Sequence, residues 1–571
     1  MKAIKNIMIA LSGIALLASC DMDKFFELDR PESNPWLSVD DLEYSVADPY
    51  NTLFQNPNWQ APIGIIPYYQ ELVADLSTVN PQGAYEQEAL YWYPRQMSTF
   101  DVTGQQFEKT FSILYRSVTG ATSPLTYIEE KEKKGEPVFA NMTENDKKTL
   151  ARQTGELYFM RGYTYWLISR AFVAPYDPAG GEGNNRKFIP LINRLDYSQE
   201  SARNPYMGTV KEVYDQMLSD FAKAKSLMPE DYFVRGRANK FSAAMMLMRV
   251  KWLMGDKDGA LEEADYVITK AEAGVAPFDL TEEPIVAFNR NAEQQYTVDP
   301  VSKEVMFECA FTERNQGNNV AIPLARMCKT GIYNFKSKTF DASNKLWLEG
   351  ARGSQNWQHG GWACAYWNPR LIKYIGWAVT DDPMDLTNYV PSAEALADKR
   401  FTQLHYFLKN YTDGGDKTIH EMAYNKTKWN AFWNDKYYRA PYGKYSQVPL
   451  IRLAEAYLTR ATLVLSKNVS QALGDVNKIR QRAGLTPLKN VTEADIEKER
   501  IKEFGFENGD RLLYLVAMQK TIDGQKRNPG DVYDNPNTDG DPIPAMNPPY
   551  STMYVPLPSI EYLYSGSYQQ P

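Results

Sequence analysis

Two short stretches combine flat aromatic side chains with planar polar ones. The first, ALYWYPRQ over residues 89–96, sets Tyr91, Trp92 and Tyr93 in a row, then a proline, then Arg95 and Gln96. The second, residues 357–377, carries Trp357, Trp362, Tyr366, Trp367, Asn368 and Arg370. An aromatic face packs on the C–H face of a sugar ring. Arginine and asparagine offer forked hydrogen bonds to neighbouring hydroxyls. That is the chemistry of recognition without a covalent step. The same residues have a second reading. Alternation in the first stretch buries either Trp92 or its two neighbours, and any one tryptophan of the second can be core. Asn318 and Asn319 fit hydroxyl recognition less well than a plain turn.

Other chemistries find little support. His359, His405 and His420 are the only histidines, and no HExxH is present. After Cys20, the remaining cysteines, Cys309, Cys328 and Cys364, match no zinc spacing, and an odd number cannot all pair within the chain. Asn535, Asn537, Asp539 and Gly540 fall at offsets of a calcium loop, but its last ligand position is Met546, so an Asx-rich turn is expected. The run Gly414-Gly415-Asp416-Lys417-Thr418 lacks the Gly-Lys step of a P-loop. No metal or cofactor is expected. Carboxylates are abundant, so a glycosidase pair stays open as an alternative. A formal net charge of −8 leaves no basic footprint for nucleic acid.

The elements that must carry those aromatics begin with a leader. Lys2 and Lys5 precede an apolar run from Ile7 to Ala18, too short to span a bilayer. Leu17-Ala18-Ser19-Cys20 fits the lipobox of bacterial lipoproteins, so residues 1–19 read as a signal peptide and Cys20 as the acylated, membrane-anchored residue. Residues 20–275 form an N-terminal region that is mostly helical from about residue 63. Thr209-Val210-Lys211-Glu212 is a capping box opening a helix that ends at Pro229. Residues 241–271 read as a helix, a Gly255-Asp256 turn and a second helix with Ala260 and Ala264 on one face. This is the grammar of a tetratricopeptide repeat, in which small residues let paired helices approach closely. A related pair runs through Ala454, Tyr457, Leu458 and Ala461, then Ala472, Val476 and Ile479. Residues 145–171 with 210–228 are a further candidate pair. Between 276 and 445 helical periodicity fades. Seven of the 12 tryptophans lie there, which marks a loop-rich aromatic lobe. Residues 446–571 form a C-terminal helical region with a coil tail.

The C-terminal third carries a family pattern. RLAEAYLTRA (452–461), DVNKIRQRAGL (475–485) and ADIEKERIKEFGFENGDRLLYLVAM (494–518) occur in order, followed by YVPLPSIEY (554–562). With GELYFMRGYTYWLISRAF (155–172) and the lipobox, this chain resembles the SusD/RagB-like outer-membrane lipoproteins of Bacteroidetes. The resemblance implies a mainly α, SusD-like fold: a degenerate tetratricopeptide-repeat scaffold with an irregular lobe. It also implies a non-enzymatic, cell-surface, lipid-anchored protein that binds glycan, or in some members peptide. Its partner would be a SusC-like TonB-dependent outer-membrane barrel. The aromatic stretch around Trp92 falls about where the family's glycan platform has its loop. Glu499, Arg500, Glu503, Glu507 and Arg511 recur at helical spacing and are expected to form i,i+4 pairs rather than a ligand site.

Overall fold

The structure is a computed structural model. It describes residues 36–54, 61–79, 100–196, 198–281, 283–288, 302–310, 339–341, 346–348, 365–379, 390–408, 431–434, 436–437, 447–524, 544–558 and 561. The anchor residue Cys20 and the calcium-loop candidate at 534–541 lie outside them.

Besides a short helical turn at Gln199–Arg203, the helices are α1 (Val39–Phe54), α2 (Pro62–Val73), α3 (Phe100–Lys133), α4 (Glu144–Phe172), α5 (Val210–Leu227), α6 (Lys240–Leu253), α7 (Lys257–Glu272), α8 (Pro369–Tyr374), α9 (Ala393–Ala397), α10 (Lys399–Leu404), α11 (Leu453–Val464), α12 (Val469–Arg482), α13 (Glu493–Phe504) and α14 (Asp510–Ala517). The strands are β1 (Ser77–Val79), β2 (Lys187–Pro190), β3 (Met207–Thr209), β4 (Val305–Ala310), β5 (Thr339–Asp341), β6 (Leu346–Leu348), β7 (Ala365–Trp367), β8 (His405–Leu408), β9 (Ala431–Asn434) and β10 (Gln447–Arg452). They pair only in antiparallel twos: β1 with β7, β2 with β3, β4 with β10, β5 with β6, and β8 with β9.

The helices stack in the order α4, α5, α6, α7, α11, α12, each packed on the next. The local reasons sit in the sequence. Thr209 caps α5: its Oγ1 accepts the Glu212 N–H, and Glu212 accepts the Thr209 N–H at 2.8 Å. Asn239 and Asp256 cap α6 and α7, and Gly255 takes φ +84° to turn between them. Ala260, Ala264, Ala454, Ala461 and Ala472 are fully buried, so the helix axes come close. On α4, a Cβ at Gly162 would meet Phe221 of α5 at 3.0 Å. Beside it Arg161 forks onto Asp220 with bonds of 2.9 and 2.7 Å.

The stack is continuous in space but split in sequence. Between α7 and α11 the chain leaves and returns through one antiparallel pair, β4 and β10, with Val448 opposite Cys309 and Arg452 opposite Val305. The lobe is therefore an insertion closed at its base. Cys309 is buried there, and burial raises its thiol well above the usual range, so it stays a protonated thiol.

Candidate functional site

The residues singled out in the sequence divide into two groups. Tyr91, Trp92, Tyr93, Arg95, Trp357 and Trp362, with Asn318 and Asn319, lie outside the described residues. Tyr366, Trp367, Asn368 and Arg370 fall at the end of β7 and the start of α8.

For three of these four, a ligand-facing role gives way to a core one. Tyr366 and Trp367 have no exposed surface, and Asn368 has 2%. Trp367 lies opposite Ser77 in the β1–β7 pair, and its ring is surrounded by Trp377, His405, Phe432 and Phe506 at centroid distances of 5.1 to 6.0 Å. It also packs closely against Gly505, where a Cβ would meet its Cη2 at 2.3 Å. No aromatic face is left for a sugar. Asn368 ties segments together: its Nδ2 donates to the Asp75 carbonyl at 2.7 Å, and its Oδ1 caps α8 by accepting the Arg370 N–H. Arg370 is half-buried. A chain segment poor in regular structure must bury its large apolar side chains somewhere, and this lobe uses Trp367 and Trp377 for that.

A second buried system joins the lobe to the C-terminal helices. Arg452 at the end of β10 reaches Glu304 at 2.5 Å, Glu503 at 2.9 Å and Glu507 at 2.6 Å. Arg400 of α10 pairs with Asp398 and Glu499. Lys436 donates to the Glu503 carbonyl at 2.6 Å. Arg511 spans Asp75 and Glu497, each at 2.7 Å. The expected i,i+4 ladder on α13 is corrected here. Glu503 and Arg500 pair with residues of other segments, Arg500 with Asp510 and Glu503 with Arg452 and Arg482. Burial alone would push Glu503 up, but Arg482, Arg452 and Arg400 hold it well below the usual carboxylate range. Glu71 of α2 goes the other way. Burial first, then the Asp510 charge, push it up to about 8, although it accepts the Gly509 N–H at 3.2 Å. These groups are structural: their charges face each other.

An open groove of about 630 Å³ lies between α1, α3 and the segment following β2. Asp48 and Thr52 of α1 line it, with Ser112, Tyr115, Arg116 and Thr119 of α3 and the apolar edge of Pro190 and Ile192. The Tyr115 hydroxyl donates to the Pro190 carbonyl at 2.7 Å, and its ring leans on Phe111 at 4.6 Å, so the aromatic wall is fixed. Sequence reasoning missed this groove because Asp48 and Arg116 look like ordinary solvated helix charges. The available signal was Pro49 and Pro124 inside helices and Gly120 between them.

The class that this architecture defines is a helical-repeat scaffold with an inserted lobe. Residues 57–251 match a family described as starch-binding associating with outer membrane (SusD-like_3), and residues 303–561 match the SusD family (SusD_RagB). The chain belongs to the SusD/RagB-like family. It is 25% identical over 373 residues to SusD-like protein P2 of Formosa agariphila, covering 63% of this chain and 62% of the relative's length. Among solved structures, a SusD superfamily protein from Bacteroides thetaiotaomicron superposes with a TM-score of 0.65 at 17% identity, covering 93% of this chain and 99% of that one. Surface glycan-binding protein A from Bacteroides uniformis superposes with a TM-score of 0.61 at 16% identity, with 93% and 99% covered. These likenesses establish the fold.

Proposed function

We propose that this protein is a cell-surface lipoprotein that binds oligo- or polysaccharide and hands it to a SusC-like TonB-dependent barrel. The observation that carries the reading is family membership: residues 57–251 match a family described as starch-binding associating with outer membrane, and residues 303–561 match the SusD family. Among the described residues no helix is long and apolar enough to cross a membrane. Lipid on Cys20 is the proposed anchor, and two or more acyl chains there hold stably. With Tyr366, Trp367 and Asn368 buried in the core, the proposed ligand contacts narrow to Tyr91, Trp92, Tyr93, Arg95, Trp357 and Trp362, with Arg370 at the margin. Stacking by the aromatics and forked hydrogen bonds from the arginines supply affinity, and no bond in the glycan is broken.

The test is a binding screen of the full chain, purified in detergent, against neutral glycans and mixed peptides. Saturable glycan binding is expected without turnover, weakened at least tenfold by Trp92→Ala at constant thermal stability. Products released from any glycan, or binding confined to peptides, would overturn the reading. Cys20→Ala is expected to release the protein from the membrane fraction.

A further inference from the structure

We infer that the groove between α1 and α3 is a second glycan subsite, taking a neutral, hydroxyl-rich segment. The inference rests on the glycan-binding reading above and adds a place that reading does not use.

The walls specify the chemistry. Asp48 and Arg116 are both exposed, and among the described residues neither has a hydrogen bond or an ion pair. Glu561, which has a partner of its own, also lines the groove, so two carboxylates beside one guanidinium disfavour an anionic ligand, while Arg116 disfavours a cationic one. A sugar hydroxyl both donates and accepts, so vicinal hydroxyls can satisfy a carboxylate and a guanidinium together. The half-buried Tyr115 ring and Pro190 give a rigid apolar flank for ring C–H groups. The volume of about 630 Å³ falls within the range of small-ligand sites, roughly 300 to 1,000 Å³.

The backbone around the groove argues against a peptide. Pro190 has no N–H, and its carbonyl already accepts from Tyr115. The Leu191 N–H is paired with Tyr206, and the Ile192 N–H with the Tyr165 hydroxyl at 2.6 Å. No free ladder is left for an added strand.

Two further details concern how Asp48 is held. Gly120 sits in the interior of the long helix α3, where glycine costs about 1 kcal/mol against alanine. A Cβ there would meet the Asp48 Oδ2 at 2.3 Å, so the glycine makes room for that carboxylate. Pro124, four residues on, has no N–H to give to the Gly120 carbonyl, which leaves an acceptor out of the helical ladder beside the groove.

The experiment titrates the full chain in detergent with heptasaccharides of starch, laminarin, xylan and mannan, and with a tryptic peptide mixture, by calorimetry. Trp92→Ala removes the aromatic-loop site and leaves the groove. In that background Arg116→Met and Asp48→Asn, both exposed positions that leave the thermal midpoint in place, are each expected to weaken residual glycan binding about tenfold. Gly120→Ala is expected to do the same by displacing Asp48. Wild-type glycan binding that Arg116→Met and Asp48→Asn leave unchanged overturns the subsite while the main function stands. Binding of peptides, but not glycans, that is lost in Arg116→Met overturns it in favour of a peptide seat. A chain that binds none of the glycans overturns both readings.

Discussion

The helical stack and the seam that fastens the lobe to it are equally buried, yet the balance of apolar packing and charge that holds them differs. In the stack, α4 to α7 and α11 to α12 meet mainly through alanine, glycine and apolar faces, crossed by single buried pairs such as Arg161–Asp220 and Arg460–Asp475, with a hydrogen-bonded cap at each α5 to α7 N-terminus. At the seam, Arg452, Arg400, Lys436 and Arg511 face Glu304, Asp398, Glu499, Glu503, Glu507 and Asp75 with almost no exposed surface. Apolar packing is tolerant: a misfit is absorbed by small shifts. A buried charge network is not, because each member's desolvation is offset only while its partners stay in place. The seam therefore fixes where an inserted lobe sits, a task that non-directional burial performs poorly. We read the network as a device for position more than for net stability, since buried ion pairs often stabilise no more than an apolar substitute.

The sharpest way to break the seam alone is Arg452→Met. It strands Glu304, Glu503 and Glu507 without their shared guanidinium, next to Phe288 and Phe504, which flank it. Loss of one partner from a buried network costs about 3–5 kcal/mol. Denaturant unfolding is expected to show that loss. Limited proteolysis should show cleavage first within 276–445 while the stack persists. If both regions are lost together with an unchanged m-value, the two are one cooperative unit and the contrast fails.

The same contrast explains what could be read in the sequence. Ala260, Ala264, Ala454 and Ala461 repeat at helical spacing, so the stack and its helix pairs were visible, including the capping box at Thr209. The seam was not, because its partners are far apart in the chain: Glu304 and Arg452 are 148 positions distant, Asp75 and Arg511 436. Local spacing on α13 suggested neighbours that the fold does not use. Trp367 was ambiguous for a different reason. An aromatic side chain serves a core and a sugar equally well, and only the approach of Gly505 and Phe432 decides between them. Asp48 and Arg116 carried no mark beyond the neighbouring Pro49, Gly120 and Pro124. What distinguishes them is the absence of a partner among the described residues, which no periodicity encodes.

A titration sharpens the comparison, because Glu71, buried against Asp510 and Gly509 beside the seam, titrates near neutral pH. Glu71 is raised from 4.5 to about 8 in the fold, chiefly by burial and then by the Asp510 charge. In that window the unfolded chain has released the proton that the fold retains, so stability falls as pH rises. The slope approaches about 1.4 kcal/mol per pH unit and halves near pH 8, which amounts to about 2 kcal/mol between pH 6 and pH 8. Glu499 has the opposite sign: its carboxyl is lowered to about 2, so its contribution is lost only as pH falls below 4.5. Glu71→Gln keeps an acceptor for the Gly509 N–H and removes the proton. It is expected to flatten the alkaline slope and to gain stability at pH 8, while leaving the acid limb as it was. Parallel stability curves for variant and wild type from pH 6 to pH 8 would show that Glu71 is ionised in the fold.

The smallest expected effect belongs to the stack, and it tests whether that region is as tolerant as its packing implies. Thr209→Ala removes the hydroxyl that accepts the Glu212 N–H and donates to the Glu212 carboxylate at 2.9 Å, while the backbone N–H at 209 keeps its bond to Glu212. Such a cap contributes about 1 kcal/mol. The loss should be independent of pH from 6 to 8, and it should add to that of Arg452→Met, because no partner is shared between the two sites. Additivity within about 0.5 kcal/mol supports a stack and a seam that act separately. A coupling beyond that would mean that the α5 cap feels the seam through α6, whose Arg249 reaches Glu455 of α11 at 2.6 Å and the Leu450 carbonyl of β10 at 2.9 Å, two residues from Arg452. The helical stack would then transmit strain from the lobe, and the separation drawn between the two regions would have to be replaced by a single network running from β10 to α5.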